Sequence, residues 1–135
     1  MTTPVDTMGF LACSRDHYSA FILDKNGLTH ADSLGCSADP TVLGIICWIL
    51  AGTGYPSPSY IHKAVTARQN SGGVGSGSCG IAAHDFIVSH FPAKMCTPCW
   101  TSTTSPHFRN RALADLITFH LVSVLSNVVC IVFST

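Results

Sequence analysis

The dipeptide Asn26-Gly27 separates two runs of apolar character, HYSAFIL from His17 to Leu23 and LTHADSL from Leu28 to Leu34. Asn-Gly suits a tight turn in which both central residues take positive φ, and such turns match the twist of two antiparallel strands. A β-hairpin is expected here, with Asp24 and Lys25 at its polar end. The next signal is of another kind. Asp39 followed by Pro40 places a carboxylate cap before a proline at the first helical position. TVLGIICWILAG then runs to a glycine stop at Gly52, with apolar residues on nearly every face, which predicts a helix buried on several sides. At 135 residues the chain is one domain at most.

Further along, YPSPSY is rich in turn formers, and YIHKAVTAR from Tyr60 to Arg68 reads as a strand leading to Gln69. A glycine-serine loop follows, and from Cys79 the segment CGIAAHDFIVSHF has helical character, with Ile81, Ala82, Phe86 and Ile87 as its inward face. PAKMCTPCWTSTTSP is irregular. Ser105 and Pro106 open a last helix in which Phe108, Leu113, Leu116, Ile117 and Leu121 recur at helical spacing. Residues 116–133 carry no formal charge, a length close to that of a membrane span. His120, Asn127 and the serines of that stretch would be expensive in a bilayer, so a buried helix running into a strand or a frayed end is the better reading, and a membrane is disfavoured.

Only 10% of the residues are charged, against a usual share of roughly 25%, which is the composition of a chain with much surface to bury. The net charge is zero and no basic stripe interleaves with aromatics, which argues against a nucleic-acid partner. Seven cysteines are an odd number, and MTTPVDTMGF has neither the basic nor the apolar part of a secretion signal. Both favour a reducing, intracellular setting in the nucleus or cytoplasm. Cys13, Cys36, Cys47 and Cys130 sit in small or apolar surroundings and read as inert buried thiols.

The loop QNSGGVGSGSCGIAAHDF from Gln69 to Phe86 is the segment on which function turns. A phosphate-binding P-loop needs Gly-Lys-Ser/Thr after its spacer, whereas Gly77 is followed by Ser78 and Cys79. The dinucleotide fingerprint fails as well, because a serine stands at position 78 where the third glycine should be. Composition alone would leave a flexible linker. The abrupt junction Ser78-Cys79-Gly80 argues otherwise, since a thiol at a helix N-terminus meets unpaired N–H groups and the positive end of the dipole, which favour thiolate. Gly80 permits close approach of a substrate backbone, and loop amides can serve an oxyanion. A cysteine nucleophile needs an imidazole and a group to orient it. His17 opens the first predicted strand and Asp32 closes the second, so hairpin folding brings both to one end of the sheet. His30, two residues before Asp32, is a rival base. His62, His84, His90, His107 and His120 read as structural.

DHYSAFILDKNGLTHADSLG followed by RQNSGGVGSGSCGIAAHDF resembles the catalytic half of the ubiquitin-like-modifier proteases, of the SUMO-protease and adenovirus-protease type. That pattern is a histidine followed by an aromatic on a strand, Asp-Ser-Leu at the next strand end, a helix, and then a glutamine shortly before Asp-Cys-Gly or Ser-Cys-Gly at a helix start. The resemblance covers roughly His17 to His90 and runs in the order His17, Asp32, Gln69, Cys79, the reverse of papain. It implies an α+β, papain-like cysteine protease fold of the ubiquitin-like protease type, with one catalytic domain over residues 1–135 that lacks much of its N-terminal part. It also implies Cys79 as nucleophile, His17 as general base and acid, Asp32 as orienting carboxylate and Gln69 as oxyanion donor. Tyr18 would line the channel for a Gly-Gly tail, with Ser78 and Gly80 flanking the nucleophile on the substrate side. No cofactor is implied, and the partner is a ubiquitin-like modifier or its conjugates.

Two other readings compete. Cys96-Thr97-Pro98-Cys99 has metal-gripping spacing, and His84, His90 or His107 could complete a zinc site of a binding module, although no second CxxC exists. A protease-fold remnant without activity, kept as an interaction surface, is the third.

Overall fold

Strands β1 (Met8–Ser14), β2 (His17–Asp24) and β3 (Gly27–Ala31) form an antiparallel meander in the computed structural model, which describes residues 7–53, 58, 60–91 and 99–126. Lys25 and Asn26 make the turn that joins β2 to β3, where Asp24 pairs with Gly27. Gly27 takes φ 117° but Asn26 is not left-handed, so the expected hairpin forms with the turn one residue earlier than Asn-Gly implies, and the Asn26 N–H binds the Asp24 carboxylate at 2.7 Å. Strand β1 has no counterpart in the sequence reading, which took His17 to open the first strand. Its turn is made by Arg15 and Asp16, both in the left-handed region at φ 52° and 59°. Asp16 tolerates that conformation but Arg15 is not a usual marker of it, and neither position has the glycine that signals such a turn, so the hairpin leaves little local trace.

Helix α1 (Pro40–Ala51) follows, then the short strand β4 (Ile61–Lys63), which pairs parallel to β3 and completes a sheet of order β1-β2-β3-β4. The strand expected over Tyr60 to Arg68 is thus cut to its start. Beyond it, single bonds hold the chain beside the end of β3: Ala64 N–H to His30 O, and Gln69 N–H to Ser33 O at 3.0 Å. Helices α2 (Cys79–Val88) and α3 (Ser105–Ser126) complete the described elements.

Period-two alternation on β2 divides the core between two faces. Phe21 and Leu23 join Leu28 and the α1 residues Val42, Ile46 and Leu50 on one side. Ala20 and Ile22 join Ala31 and the α2 residues Ala83 and Phe86 on the other. The sheet therefore lies between α1 and α2, and the N-terminus of α2 comes to the β2 end at which His17 starts.

Asp39 caps α1 by accepting the Thr41 N–H at 2.8 Å, and its other oxygen accepts the Ser14 hydroxyl at 2.6 Å. These two donors hold its carboxyl below the usual value, the Ser14 hydrogen bond most strongly. The expected burial of α1 on several sides is corrected. Only Val42, Ile46 and Leu50 are buried, four residues apart, while Trp48 is 78% exposed. On α2 the burial falls on Ala83 and Phe86, with Ile81 and Ala82 half-buried. The apolar set of α3 is likewise not an inward face, since Leu113, Leu116, Ile117 and Leu121 are exposed. Among the cysteines read as buried, Cys36 is exposed and Cys13 and Cys47 are half-buried, and Cys130 lies outside the described residues. Among the described residues no helix is long and apolar enough to cross a membrane.

Candidate active site

Asp32 follows β3 and opens a turn closed by the Gly35 N–H on the Asp32 carbonyl at 3.0 Å. Gly35 takes φ 74°, and the Arg68 guanidinium fills the space that a side chain at that position would need. The turn points two backbone donors at the aspartate: Oδ1 accepts the Leu34 N–H at 2.7 Å and the Cys36 N–H at 3.3 Å. Thr66 Oγ1 donates to the Asp32 carbonyl at 3.0 Å. The carboxylate is held on one edge, and its other oxygen, Oδ2, meets His17 Nε2 at 2.8 Å.

The strand register explains the meeting. Ala20 pairs with Ala31, so Asp32 falls opposite Ser19, and His17 lies two residues further along the same side of β2. Such diagonal neighbours are within reach of long side chains. An ionised carboxylate accepts only, so the pairing sets Nε2 as the protonated nitrogen and leaves Nδ1 as the acceptor of the ring.

The rival base is placed differently. His30 is buried against Phe21, with ring centroids 4.7 Å apart. Burial pushes its imidazole below the ordinary value; Asp32 opposes the shift, and Lys63 and His17 add to it. It is a core histidine.

Cys79 is the first residue of α2, half-buried and a free thiol. Tyr18 lies over Gly80 at a distance that would just admit a side-chain methyl, since a Cβ built on Gly80 would lie 3.5 Å from the tyrosine Cδ2. Charge repulsion from Cys13, the cross-strand partner of Tyr18, raises the phenol above its usual value; a Cys13 hydrogen bond, burial and Cys79 push the same way. Cys13, expected as an inert buried thiol, is thus half-buried and linked to Tyr18.

Gln69 ends the segment beside β3. Its carboxamide oxygen lies 3.5 Å from Ser33 Oγ, a long contact that turns the oxygen toward Ser33 and frees the NH2 group. The serine of Asp-Ser-Leu was read only as part of a pattern, and its contact spans 36 positions, which no local signal reveals. Ser78 is buried and directed away from the helix that it precedes, toward Ser105 and Arg109.

A cavity of about 130 Å³ lies behind Asp32, lined by Ser33, Thr66, Ala83, Phe86 and Trp100. Neither His17 nor Cys79 lines it, so it backs the site rather than forming its mouth. Of the CxxC pair, Cys96 lies outside the described residues and Cys99 is exposed. Among the described residues no group of three or more His, Cys, Asp or Glu is arranged to hold a metal.

Among the described residues the arrangement is a mixed α/β fold with a four-stranded sheet, three helices, and a buried aspartate bonded to a histidine at the sheet end. No protein-family model and no curated protein matches the chain. Among solved structures it is similar to the C-terminal Ulp1 protease domain, solved in complex with Smt3, the yeast ortholog of SUMO. The TM-score is 0.51 at 13% identity, over 78% of this chain and 49% of the other. The chain spans about half the length of that protease chain, and the likeness is one of fold at a distance.

Proposed function

We propose that the chain is a cysteine peptidase of the ubiquitin-like-modifier type, papain-like in its chemistry, that cleaves after the C-terminal Gly-Gly of a modifier inside the cell. The observation that carries this reading is the 2.8 Å bond between His17 Nε2 and a backbone-pinned Asp32, beside a helix that begins with Cys79. The Ulp1-like fold supports it at the level of architecture.

In this reading Cys79 gives its proton to His17 Nδ1, and Sγ attacks the carbonyl carbon of the terminal glycine. The oxyanion is met by the Cys79 N–H and the Gln69 NH2 group. The C–N bond breaks as His17 returns the proton to the leaving amine, leaving a thioester. Water, deprotonated by His17, then attacks the thioester, and the C–S bond breaks to restore the thiol. The placing of Tyr18 near Gly80, beside the nucleophile, supports its role in lining the channel for the tail.

The test is incubation with SUMO and ubiquitin probes carrying a C-terminal electrophile, read by intact mass. One adduct at Cys79 is expected, absent from Cys79→Ser. Labelling at another cysteine, or equal labelling of the variant, overturns the assignment.

A further inference from the structure

Ser78 occupies the N-cap position of α2, yet its side chain makes no cap bond, and its backbone sits in the sparsely allowed bridge region at φ −101°, ψ 14°. The hydroxyl turns to α3 instead. It shares a short hydrogen bond with Ser105 Oγ, both residues being fully buried, and accepts from Arg109 Nη2 at 2.7 Å. The same Nη2 donates to the Ser76 carbonyl at 2.5 Å. The two N–H bonds of one nitrogen thus grip the loop at two points. Just upstream, buried Ser102 donates to the Arg68 carbonyl at 2.7 Å and packs on Gly75, where a Cβ would come within 2.6 Å of the Ser102 Cα.

This splint answers a specific need. Gly73, Gly75 and Gly77 all take left-handed φ, and such a glycine-rich segment has little stiffness of its own. Order must be imposed from outside, and Ser102, Ser105 and Arg109 impose it. Diverting the Ser78 hydroxyl also leaves the first N–H groups of α2 untaken by the residue that would ordinarily cap them.

We propose that Arg109, acting with Ser105 through Ser76 and Ser78, is a positioning residue for the nucleophile loop. It fixes the Ser78–Cys79 peptide so that the first α2 amides stay open toward a developing oxyanion. This rests on the reading of Cys79 as nucleophile. Arg111 provides the control, since it shares the helix and the charge but lines the cleft between α2 and α3 with Ile81 and Val88.

The test compares Arg109→Ala, Arg109→Lys and Arg111→Ala in the whole chain, with Ser78→Ala for a double-mutant cycle. Backbone hydrogen exchange over residues 73–80 should rise about tenfold in Arg109→Ala. With SUMO–aminomethylcoumarin as substrate, kcat should fall ~10–10²-fold while KM stays within about twofold, as expected of a misplaced transition-state contact. Iodoacetamide, which builds no oxyanion, should alkylate Cys79 at the parental rate. Arg109→Lys should recover most of kcat, because an ammonium has donors for both acceptors. Arg111→Ala should match the parent, and Arg109→Ala should add little to Ser78→Ala. Unchanged exchange in Arg109→Ala, equal loss in Arg111→Ala, or additive effects in the cycle would overturn the proposal. If the parent turns over no modifier substrate while Arg109→Ala still frees the loop, the peptidase reading fails and takes the positioning role with it, and Arg109 is left as a residue that orders the loop.

Discussion

His17 and Asp32 are bonded at 2.8 Å but unequally buried, the histidine side chain 19% exposed and the aspartate 3%. The carboxylate is the fixed partner, with the Leu34 and Cys36 amides on Oδ1, and the imidazole takes its orientation from it. Asp32→Asn keeps the shape but no longer requires Nε2 to carry the proton. In the proposed peptidase, turnover should fall ~10²–10⁴-fold. Steady-state assay of a SUMO–aminomethylcoumarin substrate checks it, with circular dichroism to confirm that the fold survives.

Gln69→Ala tests the oxyanion assignment. Removal of one donor aimed at developing charge should lower turnover by ~10²–10³, with no change in Cys79 alkylation by iodoacetamide. Ser33→Ala, which loses only the contact that turns the Gln69 carboxamide, should give a smaller loss in the same direction. Turnover of Gln69→Ala within a few-fold of the parent would assign the oxyanion hole to loop amides alone.

Gly75→Ala combines a forbidden backbone and a blocked space, since φ is 87° and the new Cβ would meet Ser102 at 2.6 Å. A loss of about 1–3 kcal/mol in urea unfolding is expected. At Gly72 nothing lies within 4 Å and φ is not left-handed, so Gly72→Ala should be close to neutral.

His30 makes stability pH-dependent. Its folded value lies below the ordinary one because it is buried, so on acidification the unfolded chain takes up a proton before the folded one does. Stability is full above the unfolded value near about 6.5 and falls as pH drops from there toward the folded value. His30→Phe should shrink the difference between urea midpoints measured at about pH 7.5 and about pH 5.5. An unchanged difference would assign the acid sensitivity to another group.

What the sequence revealed follows from the range of each signal. The hairpin at Asn26-Gly27 and the Asp39-Pro40 helix start are written in adjacent residues, and the structure has both, although the turn itself is made by Lys25 and Asn26. Strand β1 escaped because its turn at Arg15-Asp16 has both residues left-handed without a glycine to announce it. Helical spacing located α3 yet misjudged its apolar face, because periodicity reports a stripe and not whether anything packs on it. His17 and Asp32 could be paired from the hairpin, whereas Ser33 with Gln69 and Ser78 with Arg109 are joined across 36 and 31 positions.

The splint on the nucleophile loop also imposes an order in time. His17 and Asp32 are fifteen positions apart in a meander with two-residue turns, contacts of the kind that form early. Ser102, Ser105 and Arg109 follow Cys79 in the chain, so a ribosome must release them before the glycine loop can be gripped. During synthesis the residues of the His17–Asp32 bond are therefore complete before the loop that carries Cys79 can be gripped. If the proposed peptidase reading holds, a nascent or prematurely ended chain that stops short of Arg109 carries Cys79 on an ungripped loop and is silent until α3 docks.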